Sequence, residues 1–242
     1  MTYQQLPAGL ALVYHDDILC LMDESDAAAG RVWVDFDHPE LHFRRRQALS
    51  REFLIRAVGG LRPRQVARNI SGEGHIIDAT AGLGQDAFML ACAGWHVTLQ
   101  EQSEVVHALL ADGLQRALRA EDEGLRQVVA RMTLCAPGDA VTRLAQLPSA
   151  EVIYLDPMFP ARDKSARVKK NRFLLQRLHG DEGQGVGLLD TALRLTSKVV
   201  VKRPRLAPPL GRAPSAKIQG KTSRFDIYVG EVDSSNRSMT RS

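Results

Sequence analysis

Cysteine is scarce. Cys20, Cys92 and Cys135 are the only three among 242 residues, and no two of them form a C-x-x-C pair. Such a set argues against a disulfide framework and a cysteine zinc site, and for a reducing compartment. No apolar run approaches the roughly 20 residues of a membrane span. The opening MTYQQLPAGLALVYHDD has no basic segment ahead of an apolar one, so neither a leader nor a membrane partner is expected, and a cytoplasmic location is. Internal repeats and long low-complexity tracts are missing too, which argues against solenoids and extended linkers. The seven histidines show no metal-ligand spacing, and no metal is expected. What is present is ordinary for a packed globular protein: 44% hydrophobic and 25% charged residues, which excludes wholesale disorder. A chain of this length suits one α/β domain with a small appendage and buries roughly 70% of its unfolded surface.

The charge is unevenly distributed. From Ala161 to Arg224 there are 16 Lys/Arg against Asp163, Asp181, Glu182 and Asp190, a net of +12; the whole chain carries +4, so the remainder carries −8. Basicity concentrated in the C-terminal third suits a polyanion-binding face, although a solvated basic surface gives the same count.

The first 60 residues differ from the rest. ALVYH and ILCLM flank the turn-like Asp16-Asp17, and RVWVDF alternates Val32, Val34 and Phe36 with Trp33 and Asp35; all three read as short strands. From His42 to Val58, Phe43, Leu49, Phe53, Leu54 and Ala57 recur at helical spacing until Gly59-Gly60 and Pro63 end the pattern. Residues 1–60 are therefore expected to form a small α/β appendage, and residues 61–242 the main domain. From Gly74 a regular alternation begins. HIIDAT, WHVTLQ, RMTLCA, EVIYLD and KVVVKRP read as strands, with helix patterns at DAFMLACAG, at SEVVHALLADGLQRALRAE opened by Ser103, and at VGLLDTALRLTS. SAKIQG and RFDIYVG suit a closing antiparallel hairpin. Strands separated by helices imply right-handed crossovers and a doubly wound, mainly parallel, Rossmann-like sheet, with its ligand at the carboxyl ends of the strands.

The first motif is Asp78-Ala79-Thr80-Ala81-Gly82-Leu83-Gly84-Gln85-Asp86. Gly82 and Gly84 allow a sharp exit from the strand and close approach of a ligand to the backbone, where the next helix offers free N–H groups. A dinucleotide enzyme would place a third glycine near Asp86, whose charge would instead repel a pyrophosphate. A cationic or zwitterionic ligand suits the loop better. Glu101 ends the second strand 19 residues after Gly82, where a carboxylate can accept two ribose hydroxyls. A plain glycine turn with surface acids is the alternative. Strand, G-x-G, helix, strand and acid in this order resemble the class I S-adenosylmethionine-dependent methyltransferases. The resemblance implies that Asp78 and the glycine loop hold the methionine and ribose end, that Glu101 binds the ribose, and that an acid after the third strand faces the adenine. Gly138-Asp139 matches the last by position, though the loop from Ala136 to Asp139 also suits a simple turn.

The second motif, Asp156-Pro157-Met158-Phe159-Pro160, follows the apolar EVIYL. The lone pair of an exocyclic base amine is delocalised into its ring and attacks poorly. A carboxylate and a backbone carbonyl that accept both N–H bonds orient the amine and stabilise positive charge as it is alkylated. Asp156 and the Pro157 carbonyl suit that role, and Phe159 offers a face on which a base can stack; a strand ending in a proline turn over a core phenylalanine is the alternative. The motif resembles the D/N-P-P-Y/F signature of amino-group methyltransferases acting on nucleic acid bases, with Met158 replacing the second proline. YLDPMFPARDKSARVKK, DATAGLGQDAF, WVDF, VVVKRP (Val199–Pro204), APPL (Ala207–Leu210) and RFDIY (Arg224–Tyr228) together are similar to the ribosomal RNA small subunit methyltransferase J family. That resemblance covers about Trp33 to Gly230. It implies methylation of N2 of guanosine 1516 in 16S rRNA with S-adenosylmethionine as cofactor, and 16S rRNA or the 30S subunit as partner rather than DNA. It places cofactor contacts on Gln85, Asp86, Glu101, Gln102, Gly138, Asp139 and Asp156. The family pattern has arginine at the positions of Gln85 and Gln102, and a glycine-rich loop where this chain has QALSR from Gln47 to Arg51.

Arg162, Lys164, Arg167, Lys169 and Lys170 follow the second motif directly and, with Lys202 and Arg203, are expected to neutralise phosphates around a target nucleotide. Three rival readings remain. A dinucleotide oxidoreductase shares the fold, a non-catalytic RNA-binding assembly factor shares the basic face, and an adenine-N6 methyltransferase shares the Asp-Pro motif.

Overall fold

The computed structural model describes residues 6–26, 30–62, 74–157 and 185–230. Five parallel strands build the centre of the main sheet: β4 (His75–Asp78), β5 (His96–Leu99), β6 (Met132–Leu134), β7 (Val152–Leu155) and β8 (Lys198–Pro204). The closing hairpin of β9 (Ala216–Gln219) and β10 (Ser223–Val229) continues it antiparallel, with Phe225 opposite Lys202 and Ile218. The order β6-β5-β4-β7-β8-β10-β9 gives a seven-stranded sheet whose direction of winding reverses between β4 and β7.

Every residue of HIID in β4 and VIYL in β7 is buried, because helices cover both faces. The strand period of two sends alternate side chains to two cores. Ile76, Tyr154 and Val200 join one, and Ile77, Ile153, Leu155, Val199 and Val201 the other. Helices α3 (Gln85–Cys92), α4 (Glu104–Leu118) and α5 (Glu123–Val129) contribute to the first core, and α6 (Ala140–Leu144) and α7 (Gly185–Leu195) to the second. As its sequence implies, α4 is opened by Ser103, whose Oγ accepts the Val106 N–H. The short α5 and α6 are additions to the pattern read from sequence, each opened by an aspartate cap, Asp122 and Asp139.

The N-terminal segment forms a separate antiparallel sheet of β1 (Leu10–His15), β2 (Ile18–Asp23) and β3 (Arg31–Val32). Asp16 and Asp17 both take positive φ, 50° and 60°, as a tight two-residue hairpin turn requires. The strand expected from 31 to 36 stops at Val32. Beyond it Val34 lies so close to α4 that a Cβ on Gly113 would be 2.4 Å from Val34 Cγ1, and Phe36 stacks on Phe88 with centroids 5.3 Å apart. The helix expected from His42 to Val58 is two helices, α1 (Pro39–Arg46) and α2 (Phe53–Val58), joined through a short 3₁₀ turn at Leu49–Arg51. The break lets α1 lie against α3 while α2 packs beneath β9 and β10. Leu10, Leu21, Val34, Phe36 and Leu54 share the first core with the main sheet, so the appendage and the main sheet are packed as one body.

Candidate active site at the carboxyl ends of the strands

The winding reversal between β4 and β7 opens a crevice at the carboxyl ends of these strands. The glycine loop enters it from β4. Ala81 N–H donates to Gln100 O at 3.0 Å, and Gly84 N–H to Ala81 O at 2.8 Å, which curls the chain into α3. Gly82 and Gly84 both sit at positive φ, 52° and 75°, where a side chain is strained. They differ in surroundings. A Cβ on Gly84 would lie 2.7 Å from Leu110 Cδ1 and 3.0 Å from Phe36 Cζ, whereas one on Gly82 would meet nothing nearer than Thr80 O at 4.0 Å. Gly84 is a packing glycine, and Gly82 borders open space.

Glu101 stands two residues beyond β5 and is only 6% exposed. Its Oε2 accepts the Gly82 N–H and its Oε1 the Ser103 N–H, both at 2.8 Å. The carboxylate is thus fixed between the glycine loop and the start of α4. Gln100 anchors the loop after β6, with Nε2 donating to Gly138 O at 2.8 Å, while Gly138 N–H donates to Glu101 O at 3.2 Å. Asp139 caps α6, its Oδ2 accepting the Thr142 N–H at 2.9 Å and the Thr142 hydroxyl at 2.8 Å. Gln85 is exposed at the start of α3, and Gln102 follows Glu101.

The second motif meets the first directly. Asp156 N–H donates to Thr80 Oγ1 at 2.5 Å, and Ala79 N–H donates to Tyr154 O at 3.0 Å. Three carboxylates converge here: Asp78, Asp86 and Asp156. Burial pushes Asp78 well above the usual carboxylate range, against the pull of the Thr80 N–H, and the charges of Asp86 and Asp156 push the same way. Burial would raise Asp86 too, but the Lys202 ammonium and the Tyr154 hydroxyl more than offset it and hold this carboxyl below its usual range. Lys202 Nζ donates to Asp86 Oδ2 at 2.6 Å and to Asp156 Oδ2 at 2.8 Å, and Tyr154 Oη donates to Asp86 Oδ2 at 2.7 Å. Burial would lower the Lys202 pKa, yet the two carboxylates raise it above its ordinary value.

Sequence reasoning therefore needs two corrections. Lys202 bridges two carboxylates inside the crevice, so its charge is spent there rather than on an RNA-facing rim. Arg203 points to the other side of β8, is 5% exposed, and donates through Nε and Nη2 to Pro208 O at 3.1 and 2.7 Å; it pins the chain after β8. Thr80, Gln100 and Tyr154 are site residues that the sequence does not single out. The available signal was positional: Tyr154 lies one strand period before Asp156, and Lys202 interrupts an apolar strand. Of the expected residues, Asp78, Gly82, Gly84, Asp86, Glu101 and Asp156 gather at the crevice, and Gly138 is tied to Glu101. Pro157 follows Asp156. Phe159, Arg162, Lys164, Arg167, Lys169 and Lys170 lie outside the described residues.

The chemistry of this donor set fits S-adenosylmethionine. Asp86, Asp156 and Glu101 against one lysine favour a ligand bearing positive charge, and Glu101 is a fixed carboxylate that could accept sugar hydroxyls. Among the described residues, buried Gln100 Oε1 has no hydrogen-bond partner and remains an acceptor beside Glu101. The open side of Gly82 leaves room for a ligand against the loop backbone.

Comparison with known proteins agrees. Residues 2–230 match the model of the family described as "Putative SAM-dependent methyltransferase". The chain is 45% identical over 225 residues to the ribosomal RNA small subunit methyltransferase J of Thioalkalivibrio sulfidiphilus, covering 91% of this chain and 84% of that protein. It is 43% identical over 225 residues to the same-named protein of Marinobacter nauticus, covering 91% and 77%. A crystal structure of a SAM-dependent methyltransferase from Neisseria gonorrhoeae superposes with a TM-score of 0.69 at 32% identity, covering 96% of this chain and 88% of that one. With fold, crevice and sequence in accord, the chain belongs to the ribosomal RNA small subunit methyltransferase J family of S-adenosylmethionine-dependent methyltransferases.

Proposed function

We propose that this protein methylates the exocyclic N2 of guanosine 1516 in 16S rRNA. The observation that carries the reading is the placement of Asp156. It directly follows β7, is joined through its own N–H to Thr80 of the glycine loop, and is held at its carboxylate by Lys202. An amine-orienting carboxylate thus stands beside the cofactor loop.

Bound S-adenosylmethionine supplies an electrophilic methyl group on its sulfonium. Asp78, Gly82, Asp86 and Glu101 would hold it, Glu101 by accepting ribose hydroxyls, with Asp139 at the adenine end. Asp156 and the Pro157 carbonyl accept the two N–H bonds of the guanine amine, which aims its lone pair and stabilises the positive charge it acquires. Phe159 supplies the stacking face, and Arg162, Lys164, Arg167, Lys169 and Lys170 neutralise flanking phosphates. The guanine must leave its stack to reach Asp156, so an unpaired or loosely structured target is expected. The 30S subunit is the fitting substrate, and the cytoplasm the fitting location.

The test supplies purified protein with methyl-labelled S-adenosylmethionine and 30S subunits from cells lacking the gene, followed by nucleoside analysis. N2-methylguanosine at a single 16S site is the expected product, and Asp156→Ala should abolish it without unfolding the chain. Labelled N6-methyladenine would overturn the choice of base, and near-normal turnover by a folded Asp156→Ala variant would overturn the mechanism.

A further inference from the structure

Four elements bring polar side chains to one point in the crevice. Asp86 comes from the first turn of α3, Tyr154 from β7, Asp156 from the loop after β7, and Lys202 from the fifth position of β8. Lys202 Nζ lies 2.6 Å from Asp86 Oδ2 and 2.8 Å from Asp156 Oδ2, so one ammonium joins the cofactor-side carboxylate to the carboxylate of the Asp-Pro motif. Tyr154 Oη gives Asp86 Oδ2 a second donor at 2.7 Å. The cluster is not sealed: the side chains of Lys202, Asp86 and Asp156 keep 27%, 20% and 37% of their accessibility, enough for a ligand to reach them.

Without the lysine, two partly accessible carboxylates that now share one ammonium would face each other with no cation between them. Like charges so placed disfavour each other's ionised form and raise the proton affinity of the pair. Asp156 is the more exposed and lacks the Tyr154 hydrogen bond, but Asp78 behind it is a third acid in the same crevice, acting on both. A protonated Asp156 offers one fewer acceptor to an amine and no negative charge to oppose the charge the amine acquires. The bridge also fixes geometry, because a carboxylate held through Oδ2 has its plane set.

Resting on the reading of Asp156 as the amine-orienting group, we propose that Lys202 is its positioning residue: the ammonium bridge between Asp86 and Asp156 keeps Asp156 ionised and turned for amine recognition. In this role Lys202 acts through Asp156 and not on the reacting atoms. Among the described residues, the charged and titratable groups facing this bridge include Asp78 from β4, Asp86 from α3, with Arg44 of α1 acting on it at longer range, and Tyr154 from β7.

The test uses the full chain and three variants, Lys202→Met, Lys202→Arg and Asp86→Asn. Carbon-13 NMR of the aspartate carboxyls, without cofactor or RNA, reads the titration of Asp156. Removing the ammonium in Lys202→Met should raise its proton affinity about tenfold or more. Lys202→Arg should restore most of the wild-type titration, because the cation is kept. In Asp86→Asn the undivided lysine should lower the proton affinity, which also decides the matter should Lys202→Met fail to fold. In transfer assays on 30S subunits, Lys202→Met should lower kcat on the order of tenfold to a hundredfold at neutral pH, with KM for RNA nearly unchanged and the acidic limb of the pH profile displaced upward. An Asp156 titration indifferent to Lys202 and Asp86 would overturn the proposal, as would a loss confined to KM for RNA. If the titration moves as stated but wild-type protein methylates no guanine, it is the functional reading that fails and not the bridge.

Discussion

A Cβ on Gly84 has no place to go, since Leu110 and Phe36 already stand 2.7 and 3.0 Å from its position, while a Cβ on Gly82 would project into open space. Both residues sit at positive φ, so alanine strains the backbone at either site by about 1 kcal/mol. At Gly84 overpacking adds about 1–3 kcal/mol. Gly84→Ala should therefore lower the urea midpoint markedly. Gly82→Ala should lower the midpoint less, by the backbone strain alone, but bind S-adenosylmethionine at least tenfold more weakly by calorimetry, because the methyl occupies the space against the loop. Equal stability losses with equal binding would show that neither glycine borders the cofactor. The sequence displays the two glycines as equivalent halves of one G-x-G. Their division of labour depends on Phe36 and Leu110, which reach the loop from distant parts of the chain. The role of Lys202 is hidden for a related reason: its two partners lie 116 and 46 residues away, and only the sheet order brings β8 beside β7. The acids Asp78, Glu101 and Asp156 are legible because each stands at or just past the end of a strand, and strand ends at a winding reversal share one crevice.

At the level of elements, the parallel strands and long helices announce themselves through apolar runs and 3.6-residue periodicity, whereas short helices leave little pattern. Helix α6 has five residues and is set by its cap: Asp139 accepts two hydrogen bonds from Thr142. The same aspartate is the candidate for facing the adenine, and two substitutions separate these roles. Asn caps a helix as well as Asp does, so Asp139→Asn should keep stability and lose only what the charge contributes to cofactor affinity. Asp139→Ala should lose about 1 kcal/mol of stability in addition. Equal cofactor affinity in wild type and both variants would reduce Asp139 to a cap. The segment 42–58 shows why periodicity alone misjudges an element. Its apolar spacing continues through Leu49, but only the second half packs on the edge hairpin while both halves meet α3, so the chain must turn between them. The truncated β3 follows the same logic, since Val34 and Phe36 gain more by burial against α4 and α3 than by extending a small sheet.

Across the whole molecule, charge counting singles out the basic C-terminal third yet overstates what is available for RNA. Of the 16 basic residues between 161 and 224, Lys202 is held by two acids, Arg203 caps Pro208 O, and Arg224 is buried against Asp226 at 2.8 Å while donating to Arg205 O and Ala207 O. The charges of these three are engaged within the protein, and their inward placement on β8 and β10 is hidden in the sequence because a net charge carries no direction. The run from Arg162 to Lys170 has no acid but Asp163 within it, and in sequence it follows the Asp156-Pro157-Met158-Phe159-Pro160 motif proposed to orient the amine. The two groups should respond oppositely to removal. Lys169→Ala with Lys170→Ala should leave thermal stability unchanged, weaken binding to 30S subunits, and flatten the dependence of log K on log salt by about one for each phosphate no longer neutralised. Arg203→Ala should instead lower stability by about 1–3 kcal/mol, since Pro208 O loses its charged donors, and leave the salt slope as it was. Filter binding across a salt series, paired with thermal melts of the same preparations, separates the two. A salt slope that falls with Arg203→Ala but not with the lysine pair would reverse the assignment and move the RNA path from the segment that follows β7 in sequence to the outer strands of the sheet.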